Sequence, residues 1–143
     1  MKKNDIPGQV VNAMMENDYF SQWLGIEVIA ISEGNCTLQL TVRKEMLNGF
    51  GIAHGGIAFS LADSALAFAS NSRNKKSLVL EASMAFTAPV KPGDILTASA
   101  VEQHLTRRTG NYQITVSNGN GETVALFRGI VFRKEDEWFP APK

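Results

Sequence analysis

Apolar residues recur along this chain at two spacings, and the places where one gives way to the other divide it into elements. From Gln9 to about Leu24, Val10, Ala13, Met14, Phe20 and Leu24 fall at roughly helical intervals with acidic and amide residues between them, which predicts one or two short helices. In IEVIAISEGNCTLQLTV two β-branched runs flank Ser32-Glu33-Gly34-Asn35, a cluster of turn formers, so this stretch reads as a hairpin. Gly56 to Asn71 is different again. It has no proline, its alanines and leucines favour helix, and Gly55-Gly56 gives it a flexible entry, which predicts one long helix.

Strand patterning then returns. SLVLEASMAF precedes a turn over Pro89-Val90-Lys91-Pro92-Gly93-Asp94, and ILTASAVEQHL leads to Arg107-Arg108-Thr109-Gly110. Tyr112, Ile114 and Val116 alternate in NYQITVS. Asn118 to Gly121, NGNG, supplies residues that tolerate positive φ before a last strand, ETVALFRGIVFR. The expectation is an antiparallel meander of about four strands with a loose tail from Glu135 to Lys143. A helix nearly free of charge has to be covered on most sides, and a curved antiparallel sheet wrapped around it does this. The fold class expected is therefore α+β, with a central helix.

Composition narrows the function classes. A chain of 143 residues makes one domain, 1–143, and 44% hydrophobic with 20% charged residues argues against disorder. Fourteen basic residues balance 14 acidic ones, so no nucleic-acid-binding surface is expected. Cys36 is the lone cysteine, which rules out an internal disulfide, excludes metal clusters and leads to the expectation of a reducing, cytoplasmic compartment. Asp5, Pro7 and Gly8 interrupt the start, and no apolar run reaches about 18 residues, so no membrane span is expected.

The chemistry concentrates in NGFGIAHGGIAFSLADSALAFASNS, Asn48 to Ser72. At a helix start several N–H groups lack partners and the macrodipole is positive, so Gly55 and Gly56 would let a polar oxygen come close. The same glycines serve equally well as a tight turn beside an incidental His54. GFGIAH has histidine where GxGxxG needs its third glycine, and GK[ST] is absent, so nucleotide-loop chemistry is unsupported. Asp63 forms a polar stripe with Ser60, Ser64, Ser70 and Asn71, as on any amphipathic helix. Yet Ile57 to Ser72 holds no lysine, arginine or glutamate, which an exposed face would carry. A sheltered carboxylate has a raised pKa and is a better base or nucleophile. Eight residues along one helix are about 12 Å, so Gly55 and Asp63 of one chain cannot meet at one carbon. A site using both needs two copies with antiparallel helices across a two-fold axis. Ala58, Ala62, Ala65 and Ala69 would allow close packing against the sheet or a partner.

MLNGFGIAHGGIAFSLADSALAFASNS resembles the signature of hotdog-fold acyl-CoA thioesterases, in the branch associated with phenylacetate degradation. The resemblance extends from about Asn12 to Arg133, through FTAP before KPGD, RRTGNY and VALFRG. It implies a hotdog fold, a homodimer with shared active sites that pairs further into a dimer of dimers, an acyl-CoA substrate, and no cofactor or metal. By position it implies Asp63 as base or nucleophile, Gly55 N–H on the thioester carbonyl from the other protomer, and His54 and Asn48 orienting the loop and helping to bind thioester or water. Gly56 and Ser64 join the substrate-binding candidates, as do Arg107 and Arg108 for the coenzyme A phosphates, although two arginines in a hairpin loop are more often just solvated. Relatives with glutamate at position 63 carry serine or threonine four residues later, where this chain has Ala67, so the match is to the aspartate branch.

The reaction implied is hydrolysis of an aryl- or medium-chain acyl-CoA to the free acid and coenzyme A, with Phe50, Phe59, Phe68 and Met84 as residues that could line the acyl pocket or simply fill core. Two alternatives remain at this point: a hotdog dehydratase or hydratase, to which His54 before Gly-Gly is poorly suited, and a non-catalytic acyl-CoA-binding module.

Overall fold

The computed structural model describes residues 5–142; Lys2, Lys3 and the last residue of the expected tail, Lys143, lie outside the described residues. Two helices form where the first helical period predicts them, α1 over Ile6–Asn17 and α2 over Tyr19–Leu24. Aspartates start both: Asp5 Oδ1 accepts from Gly8 N at 2.9 Å with Pro7 in the first turn, and Asp18 Oδ1 accepts from Ser21 N at 3.0 Å. Gly25, at φ 73°, ends α2 in the left-handed conformation. The hairpin follows as β1, Glu27–Ser32, and β2, Asn35–Thr41. A short 3-10 turn at Lys44–Met46 and a loop lead to α3, Gly55–Asn71. After it come β3 (Lys75–Phe86), β4 (Ile95–Leu105), β5 (Thr109–Ser117) and β6 (Thr123–Glu137).

All strands join one six-stranded antiparallel sheet in the order β1-β2-β4-β5-β6-β3. This corrects the expected four-strand meander. β4, β5 and β6 follow one another, but β3 pairs with β6 at the far edge, from Lys75 opposite Glu137 to Phe86 opposite Ala125. The edge of β4 is taken by β2, from Asn35 opposite Val101 to Thr41 opposite Ile95. α3 thus carries the chain from β2, next to the β1 edge, to β3 at the opposite edge, and lies against the concave face of the sheet.

That face explains the lack of charge on α3. Leu61, Ala62, Ala65, Leu66, Phe68 and Ala69 are fully buried, against Leu38, Leu96, Ala98, Val116 and Phe127 of the sheet. Burying each large apolar side chain is worth about 1.5–3 kcal/mol. The row of alanines, Ala58, Ala62, Ala65 and Ala69, is buried within the single chain and lets the helix sit low. Gly129 on β6 does the same from below, since a Cβ there would collide with Leu66. Phe59 meets Phe127 edge-on at 5.1 Å. Cys36 is also a core residue, and burial pushes its thiol up to about 12.

The tail is tied down where a loose segment was expected. Glu135 to Glu137 complete β6, and Trp138 Nε1 donates to Asn71 Oδ1 at 2.9 Å. Asn74 accepts from Trp138 N through its carbonyl (3.0 Å) and from Phe139 N through Oδ1 (2.9 Å), while Lys76 lies over the Trp138 ring at 5.1 Å. Among the described residues no helix is long and apolar enough to cross a membrane.

Candidate active site

The loop before α3 is held shut by its own backbone. Asn48 N donates to Ile52 O (2.8 Å), Ala53 N to Val90 O (2.8 Å) and His54 N to Met46 O (2.8 Å), with Gly51 at φ 77° turning the chain. Asn48 Oδ1 accepts from Phe50 N at 2.9 Å and from Ile52 N at 3.4 Å, so this side chain caps the turn. His54 is the N-cap of α3: its Nδ1 accepts from Gly56 N at 3.0 Å, and its carbonyl from Ile57 N at 2.9 Å. An accepting Nδ1 places the proton of the neutral imidazole on Nε2.

With Gly56 capped, Gly55 N–H is left donating to no described residue at the positive end of a 17-residue helix. Gly55 opens on a cavity of about 410 Å³ lined also by Asn48, His54, Phe86, Thr87 and Val124. The Phe86 ring sits so close that a Cβ on Gly55 would lie 3.1 and 3.2 Å from its Cζ and Cε1. A backbone donor, a bare Cα and an aromatic wall therefore converge at one point.

Asp63 lies about 12 Å farther along α3 and does not line this cavity. It is half-buried, and burial pushes its carboxyl up from the ordinary value, with the negative charge of Asp18 adding to the push. Ser64 turns to α2, its Oγ 2.8 Å from Ser21 Oγ. Gly56 lines a separate depression of about 300 Å³ with Phe20, Met46, His54 and Ser60. Arg107 and Arg108 are exposed in the β4–β5 turn, where Arg107 pairs with Glu135 at 2.9 Å and Arg108 approaches it at 3.8 Å. The length of β5, roughly 30 Å, separates that turn from the cavity end of the sheet.

One chain therefore brings together Asn48, His54 and Gly55, and leaves Asp63, Ser64 and the arginines apart from them. Of the apolar residues considered for an acyl pocket, Phe68 is fully buried core, Phe59 packs on Phe127, Phe50 is 90% exposed and Met84 leans on the core. Sequence reasoning missed Phe86, whose signal is an aromatic residue at the end of a strand just before the Pro89 turn. It also missed Asp18, for which no local signal beyond a helix cap exists.

Comparison with known proteins is consistent with this geometry. A family model described as "Thioesterase superfamily" matches residues 50–125, from the loop before α3 to the start of β6. The chain is 43% identical over 121 residues to acyl-coenzyme A thioesterase PaaI of Escherichia coli, covering 85% of this chain and 86% of that protein. It belongs to the thioesterase superfamily. Among solved structures of similar fold, that of the Escherichia coli PaaI protein from the phenylacetic acid degradation operon superimposes with a TM-score of 0.90 at 40% identity, covering 92% of this chain and 95% of that one. A Streptococcus mutans protein solved bound to acetyl CoA gives 0.76 at 26% identity, over 78% of this chain and 90% of that one. The six-stranded curved sheet around α3 is thus the hotdog fold, and the superfamily match includes the segment that carries Gly55 and Asp63.

Proposed function

We propose that this protein is a cytoplasmic acyl-CoA thioesterase that hydrolyses aryl- or medium-chain acyl-CoA to the free acid and coenzyme A. The observation that carries the proposal is the unclaimed Gly55 N–H at the mouth of an apolar cavity. Such a donor stabilises the oxyanion that forms when a thioester carbonyl is attacked. Asp63 supplies the attack. As a base it takes a proton from water while the water oxygen bonds to the carbonyl carbon; the C–S bond then breaks and the leaving thiolate recovers a proton. As a nucleophile it would bond to the carbonyl carbon itself, the C–S bond would break to release the thiolate, and water would then split the resulting anhydride. Single-turnover hydrolysis in ¹⁸O water that leaves label in Asp63 identifies the nucleophile route with water opening the anhydride at the Asp63 carbonyl, whereas the base route puts the label in the product acid.

The separation of Gly55 from Asp63 supports a homodimer with two shared sites as the working unit. The edge strand β3 supports this pairing, because Leu78 and Leu80 are 62% and 61% exposed around a bulge on an otherwise unpaired edge. The exposed Tyr19, Phe20 and Trp23 on α2 support further pairing into a dimer of dimers. Asn48 and His54 hold the loop that presents Gly55, and Arg107 and Arg108 of the partner are the proposed sites for the coenzyme A phosphates. The aryl preference is supported by the phenylacetic acid operon of the Escherichia coli relative and by the Phe86 wall of the cavity. A dehydratase reading is disfavoured, because His54 Nδ1 is committed to capping α3.

The test is free-thiol release from phenylacetyl-CoA, hexanoyl-CoA and palmitoyl-CoA, with Asp63→Asn as the control. Hydrolysis of the first two, lost in the variant, is expected. No release from any of them overturns the proposal.

A further inference from the structure

Asp18, at the break between α1 and α2, spends both carboxylate oxygens on one residue. Oδ1 accepts from Ser21 N at 3.0 Å and Oδ2 from Ser21 Oγ at 2.7 Å. Ser21 is 1% exposed, and its hydroxyl meets Ser64 Oγ at 2.8 Å. Since the Ser21 proton is given to Asp18, Ser64 must be the donor to Ser21, and the bonds run in one direction from α3 to α2. Capping α2 requires Oδ1 alone. The bond from Ser21 Oγ to Oδ2 has a different result: it ties the cap of α2 to the turn of α3 that carries Asp63, the residue before Ser64.

We propose that Asp18 is a positioning residue of the hydrolytic site, which clamps α2 onto α3 through Ser21 and Ser64 and holds a second negative charge beside the attacking carboxylate. The inference rests on the reading of Asp63 given above. A like charge nearby disfavours ionisation, so Asp18 holds the proton on Asp63 to higher pH and makes it a stronger base once it is ionised. The upward push on Asp63, led by burial with Asp18 as its charged contributor, has the same sign. Other titratable groups on the elements packed against α3 are occupied or turned away. Glu102 accepts from Arg73 and from Tyr112, Lys75 pairs with Glu137, and Lys76 lies over Trp138. Glu16, Glu27, Glu81, His104 and Arg128 are exposed, Arg133 donates to Thr106 O, and His54 caps the opposite end of the helix. α3 itself carries no charge besides Asp63.

The experiment is kcat/KM for phenylacetyl-CoA across pH in wild type, Asp18→Asn, Asp18→Ser, Ser64→Ala and Asp63→Asn. Asn and Ser both cap a helix, so the two Asp18 variants remove the charge and keep α2. Either is expected to move the acid limb to lower pH, so that the ratio of the rate at its foot to the plateau rises about threefold. Ser64→Ala keeps both charges and cuts the link; it is expected to lower kcat severalfold with the limb in place. A folded Asp18→Asn or Asp18→Ser whose acid limb coincides with wild type, while Asp63→Asn is inactive, overturns this inference and leaves the hydrolytic reading standing. An Asp63→Asn variant at wild-type rate overturns the hydrolytic reading itself.

Discussion

Gly55→Ala separates the two reasons for a glycine at the start of α3, easy turning and close approach. Gly55 is not among the positive-φ residues, so alanine fits its backbone and stiffens the unfolded chain, a gain of about 0.4–1 kcal/mol. Against this, the new Cβ lies 3.1 and 3.2 Å from two ring carbons of Phe86, which must withdraw by a few tenths of an ångström. Phe86 is 59% exposed and free to swing, so the contact costs little. Net stability should change by less than about 1 kcal/mol, a few degrees in Tm. Activity should not follow. The methyl occupies the gap between Gly55 N–H and the ring, where a carbonyl oxygen has to come within about 2.7–3.1 Å of the donor. Losing one such donor costs roughly 10²–10³ in rate, so kcat for phenylacetyl-CoA should fall about 100-fold while KM changes less. Thiol release gives the rate and a thermal melt gives the stability. Gly55→Ala/Phe86→Ala removes the ring and leaves the methyl in place, so it should stay slow. Near wild-type turnover by folded Gly55→Ala would refute the assignment of this N–H to the carbonyl.

The remaining expectations use the same assays. Gly55→Pro deletes the N–H, and His54 at ψ 138° already has the extended backbone that precedes proline; refolded with Asp63→Asn at equal mixing, it should restore about a quarter of wild-type activity through heterodimers with one intact site, and verified heterodimers without activity would rule out shared sites. The Asp63 carboxyl is raised in the fold, so its stabilising contribution is full below the unfolded pKa and lost as pH rises through the folded one. Asp63→Asn should therefore be more stable than wild type at neutral pH, by a margin that shrinks on acidification in denaturant titrations; an equal margin at both pH values would contradict this. Arg107→Ala/Arg108→Ala should raise KM for acyl-CoA about tenfold with little change in kcat, and stability should move by less than about 1 kcal/mol because the Glu135 pairs are exposed; an unchanged KM removes both from the site.

What could be read from the sequence was whatever a repeat period or a turn residue encodes locally. The hairpin was visible because Gly34, at φ 78°, sits among turn formers, and α3 because seventeen residues without proline or exposed-face charges admit little else. The order of strands was not visible. A period of two says which side chains share a face but nothing about which strand lies beside it, so β3, β4, β5 and β6 read as neighbours in sequence order although β3 crosses to the far side of β6. The tail was misread for a related reason: Lys134 to Glu137 look solvated, and nothing nearby announces that Trp138 reaches Asn71, far back along the chain.

The active centre divides along the same line. A helix has a fixed rise, so the distance between Gly55 and Asp63 followed from counting residues, and with it the proposal of a second chain. What surrounds each group did not follow, because Phe86 reaches Gly55 from the end of another strand and Asp18 reaches Ser64 through Ser21, both by tertiary packing. The residues proposed for the chemistry were thus legible from their own helix, whereas those packed around them belong to other elements and become visible only when the chain is folded. On the proposed mechanism, this division also says where variation in substrate or pH range would arise without touching Gly55 and Asp63: at the end of β3, beside Gly55, and at the α1–α2 break, beside Asp63.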